Sequence, residues 1–181
     1  MKILDSSISA AMALCVPLLC IPLLCIPLVS CGTSVVLPTV EKCTVANVEV
    51  SISASDRLNM DEDGNSLSTT LRVFQLKTGA TLKNADFEEL WRDPKVTLDE
   101  DFLSMSELTL YPAKQETLSF PKEADAGFIA VMGVFRKQTG TTWRVWTPIT
   151  APSVLECKKN SEPTRKLSFV VEDYQIGVQK Q

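Results

Sequence analysis

From Val48 the chain alternates strictly: Val48, Val50, Ile52 and Ala54 fall on one side, Glu49, Ser51 and Ser53 on the other. A period of two predicts a strand with one buried face. The polar stretch from Asn59 to Ser66 interrupts the pattern and predicts a loop. Thr70 to Lys77 predicts a second strand, and two short helices are expected after it. Asn84 is placed to cap Ala85 to Arg92, which carries Phe87, Leu90 and Trp91 at helical spacing, with Pro94 ending the helix. Thr97 to Glu100 has the form of a capping box ahead of Phe102 and Leu103.

Strand signals return at Glu107 to Leu110 and at Glu116 to Phe120, bounded by Pro112 and Pro121. Phe128 to Phe135 is almost wholly apolar, as expected of a central strand covered on both faces. Thr142 to Thr147 and Lys166 to Glu172 alternate once more. Short strands separated by turn signals predict a mainly β fold, a two-sheet sandwich with a small helical insertion after the second strand. Trp143 and Trp146 sit three apart and point to opposite faces if both lie on one strand.

The N-terminal part has a different pattern. Lys2 precedes an apolar run from about Ile8 to Val29 that contains Pro17, Pro22 and Pro27. Each proline removes a backbone donor and clashes with the preceding turn, which argues against a permanent membrane helix. Cys15, Cys20 and Cys25 each follow a leucine, a poor residue at a cleavage point. Cys31 instead follows Leu28-Val29-Ser30 and precedes Gly32. This resembles the lipobox of a bacterial lipoprotein. It implies a signal peptide over residues 1–30, a lipidated tether over 31–42 and a sandwich domain over 43–181. One acyl chain holds a protein only marginally, at about 0.8 kcal/mol per buried CH2, and the lipoprotein pattern implies more than one chain. Gly32 is not the aspartate that retains many lipoproteins at the inner membrane, so the outer membrane is the expected address, with the domain facing the periplasm. Fully extended, the roughly 11 residues of the tether reach about 35 Å.

Composition narrows the chemistry. The net charge is −4 and stays there after cleavage, because the leader holds one lysine and one aspartate. That gives no electrostatic reason to bind nucleic acid. Histidine is absent, which excludes Ser–His and Cys–His catalytic pairs and histidine-based zinc sites within the chain. Lipid on Cys31 leaves Cys43 and Cys157 as an even pair in an oxidising compartment. They are expected to form a disulfide, closing a loop of about 115 residues worth roughly 4–5 kcal/mol by chain entropy; two free buried thiols are the alternative. The carboxylate pairs Glu88–Glu89 and Glu100–Asp101 fit the positive ends of short helices better than acid–base catalysis. No enzyme activity, cofactor, metal site or small-molecule substrate is expected.

The acidic loop admits several readings. Asp61, Glu62 and Asp63 followed by Gly64 and Asn65 suit a solvated turn. They also suit an exposed acidic grip for a partner, with Leu58 and Met60 as apolar anchors beside it. The spacing gives no EF-hand and no closing glutamate, which counts against calcium.

The order of motifs resembles a known family. After the lipobox come Arg72-Val-Phe-Gln-Leu76, Phe87, Leu90, Glu107, Pro112, Val134-Phe-Arg136 and Trp143-Arg144. This series, spanning Val48 to Pro148, is similar to the TssJ family of type VI secretion lipoproteins. The resemblance implies a transthyretin-like sandwich of two four-stranded sheets and a protruding loop after the first strand. It further implies that this loop, here about Leu58 to Ser66, holds the periplasmic C-terminal part of the inner-membrane protein TssM. The binding residues implied are Leu58, Asn59, Met60, Asp61, Glu62, Asp63, Gly64 and Asn65. Arg72, Arg136 and Arg144 match family positions, but arginines on strands are commonly solvated or paired, and no partner role is expected of them. The runner-up is a periplasmic lipoprotein carrier that binds a small ligand in the sandwich, against which the continuous apolar strand Phe128 to Phe135 suggests a filled core.

Overall fold

A computed structural model describes residues 43–159 and 162–179. The leader, Cys31 and the tether lie outside the described residues. In chain order the elements are β1 (Asn47–Ala54), β2 (Thr69–Leu76), α1 (Ala80–Asn84), α2 (Phe87–Arg92), α3 (Pro94–Leu98) and a 310 turn (Asp99–Asp101). There follow β3 (Phe102–Leu110), β4 (Gln115–Pro121), β5 (Phe128–Val134), β6 (Arg144–Pro148), α4 (Val154–Lys159), β7 (Thr164–Glu172) and β8 (Gln175–Val178).

The strands form two four-stranded sheets, ordered β4-β1-β7-β8 and β3-β2-β5-β6. Among the described strands only the β1–β7 pair is parallel. The molecule is the expected two-sheet sandwich. β1 buries Val48, Val50 and Ile52 and leaves Glu49 and Ser51 half-buried, as the alternation predicts. From the second sheet Leu71, Val73, Ile129 and Val131 complete the interior. Gly133 in β5 carries no side chain because the ring of Phe135 and the tip of Ile176 on β8 fill that space; a Cβ there lies 2.5 Å from the ring.

The helical insertion packs on the outer face of the second sheet. Leu82, Leu90 and Leu98 are fully buried, and they join Phe74, Leu76 and Met132 in one cluster. Phe74 meets Phe102 edge to face at 6.5 Å, and Phe87 meets Trp143 likewise at 5.1 Å. β5 is therefore covered on both faces, by the first sheet inside and the helices outside. This accounts for its unbroken apolar run.

The helices depart from the sequence reading. Asn84 ends α1 and does not cap α2. Asp86 caps α2, accepting from the amides of Glu88 at 2.8 Å and Glu89 at 3.2 Å. α2 ends at Arg92, ahead of Pro94 as expected, and Pro94 also opens α3, capped by Asp93 through the Val96 amide at 3.2 Å. The first turn of a helix has no use for the missing amide, so proline sits there at little cost. Thr97 to Glu100 is no capping box: α3 closes at Leu98, the backbone turns through Asp99 at φ 48°, and β3 starts at Phe102. Trp143 precedes β6 in a turn, where it is buried against Phe87, while Trp146 is half-buried over Gly79. α4 and β8 were not expected.

The β1 register defines two ends of the sandwich. Asn47 pairs with Pro121 and Thr164, which places the start of the domain beside α4 and the β4–β5 connection. Ser53 pairs with Gln115 and Ala54 with Val171, which places the β1–β2 loop beside the β3–β4 and β7–β8 turns at the other end. Cys43 and Cys157 are bonded, with their Cα atoms 5.9 Å apart, and join the chain ahead of β1 to α4.

Candidate functional site

The β1–β2 loop leaves one sheet and enters the other, so it crosses the end of the sandwich. Its base is fixed from three sides. Leu58 is fully buried and Asn59 nearly so, with a left-handed φ of 48° that asparagine tolerates. The Asn59 amide donates to the Asp173 carbonyl at 2.7 Å, and its side-chain Nδ2 donates to the Ser68 carbonyl at 3.0 Å. Its Oδ1 accepts from the Arg136 amide at 2.8 Å. The Tyr174 hydroxyl donates to the Met60 carbonyl at 2.7 Å, and Arg57 pairs with Asp173 at 3.1 Å. One asparagine thus ties the loop to both the β5–β6 and β7–β8 connections.

The tip is organised by Asp61. Its carboxylate accepts from the amides of Asp63 at 3.0 Å and Asn65 at 2.8 Å, and from Asn65 Nδ2 at 3.1 Å. The Asp61 amide donates back to the Asn65 carbonyl at 2.9 Å, and Gly64 supplies the left-handed step with φ 83°. The bonds from Asn65 hold the Asp61 carboxyl below the usual carboxylate range. Glu62, Asp63, Gly64 and Asn65 are left exposed on a preformed turn. Such a turn presents two carboxylates at a small entropic cost to any cationic partner.

The structure corrects the apolar part of this surface. Leu58 belongs to the core and cannot meet a partner while the domain is folded, and Asn59 holds the base. The exposed apolar groups at this end are Leu67 and Tyr111, the latter on the β3–β4 turn and 55% exposed, with Met60 half-buried. Arg136 and Lys137 of the β5–β6 loop stand exposed next to the acidic tip. Tyr111 and Lys137 escaped the sequence reading because only the pairing of distant strands brings them to the loop. Among the described residues no three His, Cys, Asp or Glu side chains gather as a metal site.

The other residues singled out in the sequence have placements inside the fold. Arg72 pairs with Glu107 at 2.9 Å, donates to the Trp91 carbonyl at 2.7 Å and stacks 3.7 Å from the Trp91 ring. Arg144 is buried and donates to the carbonyls of Ala85 and, at 2.8 Å, Lys83. Both arginines pin the helical insertion to the sheet. Asp101 is buried and accepts from the Thr78 amide at 2.6 Å and the Gly79 amide at 3.2 Å, shaping the entry to α1. Glu88 and Glu89 occupy the first turn of α2. Between the sheets the space is filled by side chains. A cleft of about 230 Å³ opens at the edge near Val73 and Phe120, and Gln75 bridges the sheets there by donating to the Pro121 carbonyl at 3.0 Å.

Two packed four-stranded sheets, an outer helical insertion and a braced loop after the first strand define the class of protein as a two-sheet β-sandwich. The chain belongs to the type VI secretion lipoprotein family described as T6SS-SciN (VasD, EvfM, TssJ, VC_A0113), which matches residues 46–178. The fold is similar to that of Serratia marcescens Lip, described as a membrane-bound component of the type VI secretion system. The TM-score is 0.67 at 21% identity over 75% of this chain and 98% of that one. It is also similar to the lipoprotein TssJ1 of Pseudomonas aeruginosa, with TM-score 0.64 at 20% identity over 76% and 97% of the two chains. A chain of the structure described as the TssM C-terminal domain (869–1107) from EAEC matches with TM-score 0.62 at 18% identity, over 76% of this chain and 100% of that one. No curated protein matches the chain.

Proposed function

We propose that this type VI secretion lipoprotein is an adaptor: lipid on Cys31 holds it in the outer membrane, and the tip of the β1–β2 loop binds the periplasmic C-terminal part of TssM. The observation that carries the reading is the preformed acidic turn, braced by Asn59 and Asp61, at the end of the sandwich opposite the tether's entry. In this reading Leu58 and Asn59 position the loop. Glu62, Asp63 and Asn65 meet the partner, with Met60, Leu67 and Tyr111 as the apolar margin. The role is associative and requires no reaction.

Calorimetry of the chain from Gly32 onward against the periplasmic C-terminal region of the cognate TssM tests it. Saturable one-to-one binding is expected, and it should disappear when Asp61 to Ser66 is replaced by a short Gly/Ser link. The unfolding midpoint of that variant should stay close to the parent's, since Leu58 and Asn59 remain. Undiminished affinity in the shortened protein rules out the loop as the grip.

A further inference from the structure

We infer that α4, together with the disulfide that holds it, is a membrane-facing contact that lies against an anionic phospholipid surface; this rests on the reading of Cys31 as the lipid anchor. α4 is six residues long, and its two sides differ in kind. Cys157 faces the domain through its bond to Cys43. Glu156 is also engaged, accepting from the Ser153 amide at 2.6 Å and pairing with Arg165 at 3.5 Å.

The other side carries Val154 and Leu155, which are 73% and 71% exposed, and Lys158 and Lys159, also exposed. Residues four apart stack along a helix, so Val154 lies under Lys158 and Leu155 under Lys159. Two apolar groups flanked by two ammonium groups is the composition of a surface that dips into headgroups while its lysines reach phosphates. The only acid in α4 is already paired with Arg165, so this face offers positive charge on a chain that is net negative.

Position selects the occupant. The disulfide sets Cys157 beside Cys43, the first described residue, and Cys31 lies 12 positions upstream of it. Even fully extended, those residues keep α4 within about 40 Å of the lipid anchor, and a coil of that length averages about 20 Å. α4, bonded to the first described residue, is thus held within the tether's reach of the bilayer.

Mass spectrometry and hydrogen exchange on the lipidated mature protein test the inference. The protein is reconstituted on vesicles of phosphatidylethanolamine with phosphatidylglycerol, and in parallel on phosphatidylcholine vesicles. Amides of residues 153–159 are expected to exchange about thirtyfold more slowly on the anionic vesicles, a factor in keeping with two lysines near a charged surface. The double substitution Leu155→Asp with Lys159→Glu should abolish the slowing. That variant should still sediment with the vesicles and keep its unfolding midpoint, because both side chains project into solvent. Equal exchange on the two vesicle types, with acylated Cys31 confirmed by mass, overturns the inference and leaves the anchor standing. Slowing that follows protein density and not lipid charge assigns the face to a second copy and also overturns it. An unacylated Cys31 overturns the anchor and this inference together.

Discussion

Arg144 lies inside the molecule, and the carbonyls of Lys83 and Ala85 stand in for water around its guanidinium. Burial pulls its pKa below the ordinary arginine value, and the nearby Asp86 carboxylate opposes that shift. Replacing it with methionine keeps the volume but leaves two carbonyls without a charged donor. Arg144→Met is expected to cost about 2–3 kcal/mol in urea unfolding. Asp61 makes a different demand on pH. Its carboxyl is held below its ordinary value, so its contribution to the tip is complete above the unfolded value of about 3.9 and lost as the pH falls through the lower folded value. The Asn65 amide resonance should therefore stay fixed from neutral pH down to that range and move only below it. Asp61→Ala should release that amide at every pH and, on the proposed reading, weaken TssM binding, with only a small drop in the unfolding midpoint because the tip is exposed. The acids of the tip were legible in the sequence, whereas the burial of Leu58 was not. An apolar residue beside three acids reads the same whether it plugs the sandwich or faces a partner.

The elements differ in how plainly the sequence announces them. Alternation located β1 and β7 because each has one covered face, whereas the less sorted apolar residues of β2 and the run in β5 belong to strands covered on both. β8 was missed because only Ile176 of its four residues is buried. α4 was missed because it buries no side chain fully and shows its apolar pair to solvent. In the insertion the caps misled. Asp86, not Asn84, caps the helix that ends at Arg92, and Asp93 caps a second that starts at Pro94, ahead of the Thr97–Glu100 start the sequence suggested. Those helices are too short to persist alone and depend on their buried leucines. Leu90→Ala is expected to cost about 3 kcal/mol, and hydrogen exchange should speed up in α2 and α3 before it does in the sandwich.

The domain has two ends, with Cys43, the start of β1 and α4 at one and the loop cluster at the other. The Cys43–Cys157 bond closes a separation of 114 residues and stabilises by roughly 4–5 kcal/mol on the chain-entropy account. Reduction, or Cys43→Ser with Cys157→Ser, should lower the thermal midpoint by many degrees; a shift within error would show that the bond constrains little in the unfolded chain. The placement of β1 has one more consequence. It is the strand nearest the tether, it lies between β4 and β7, and its far end leads directly into the loop. Tension between the lipid and the partner would run along its axis and strain both hydrogen-bond ladders in shear at once, instead of peeling an edge strand bond by bond. On the proposed reading the disulfide would shunt part of that load into α4 before it reached β1.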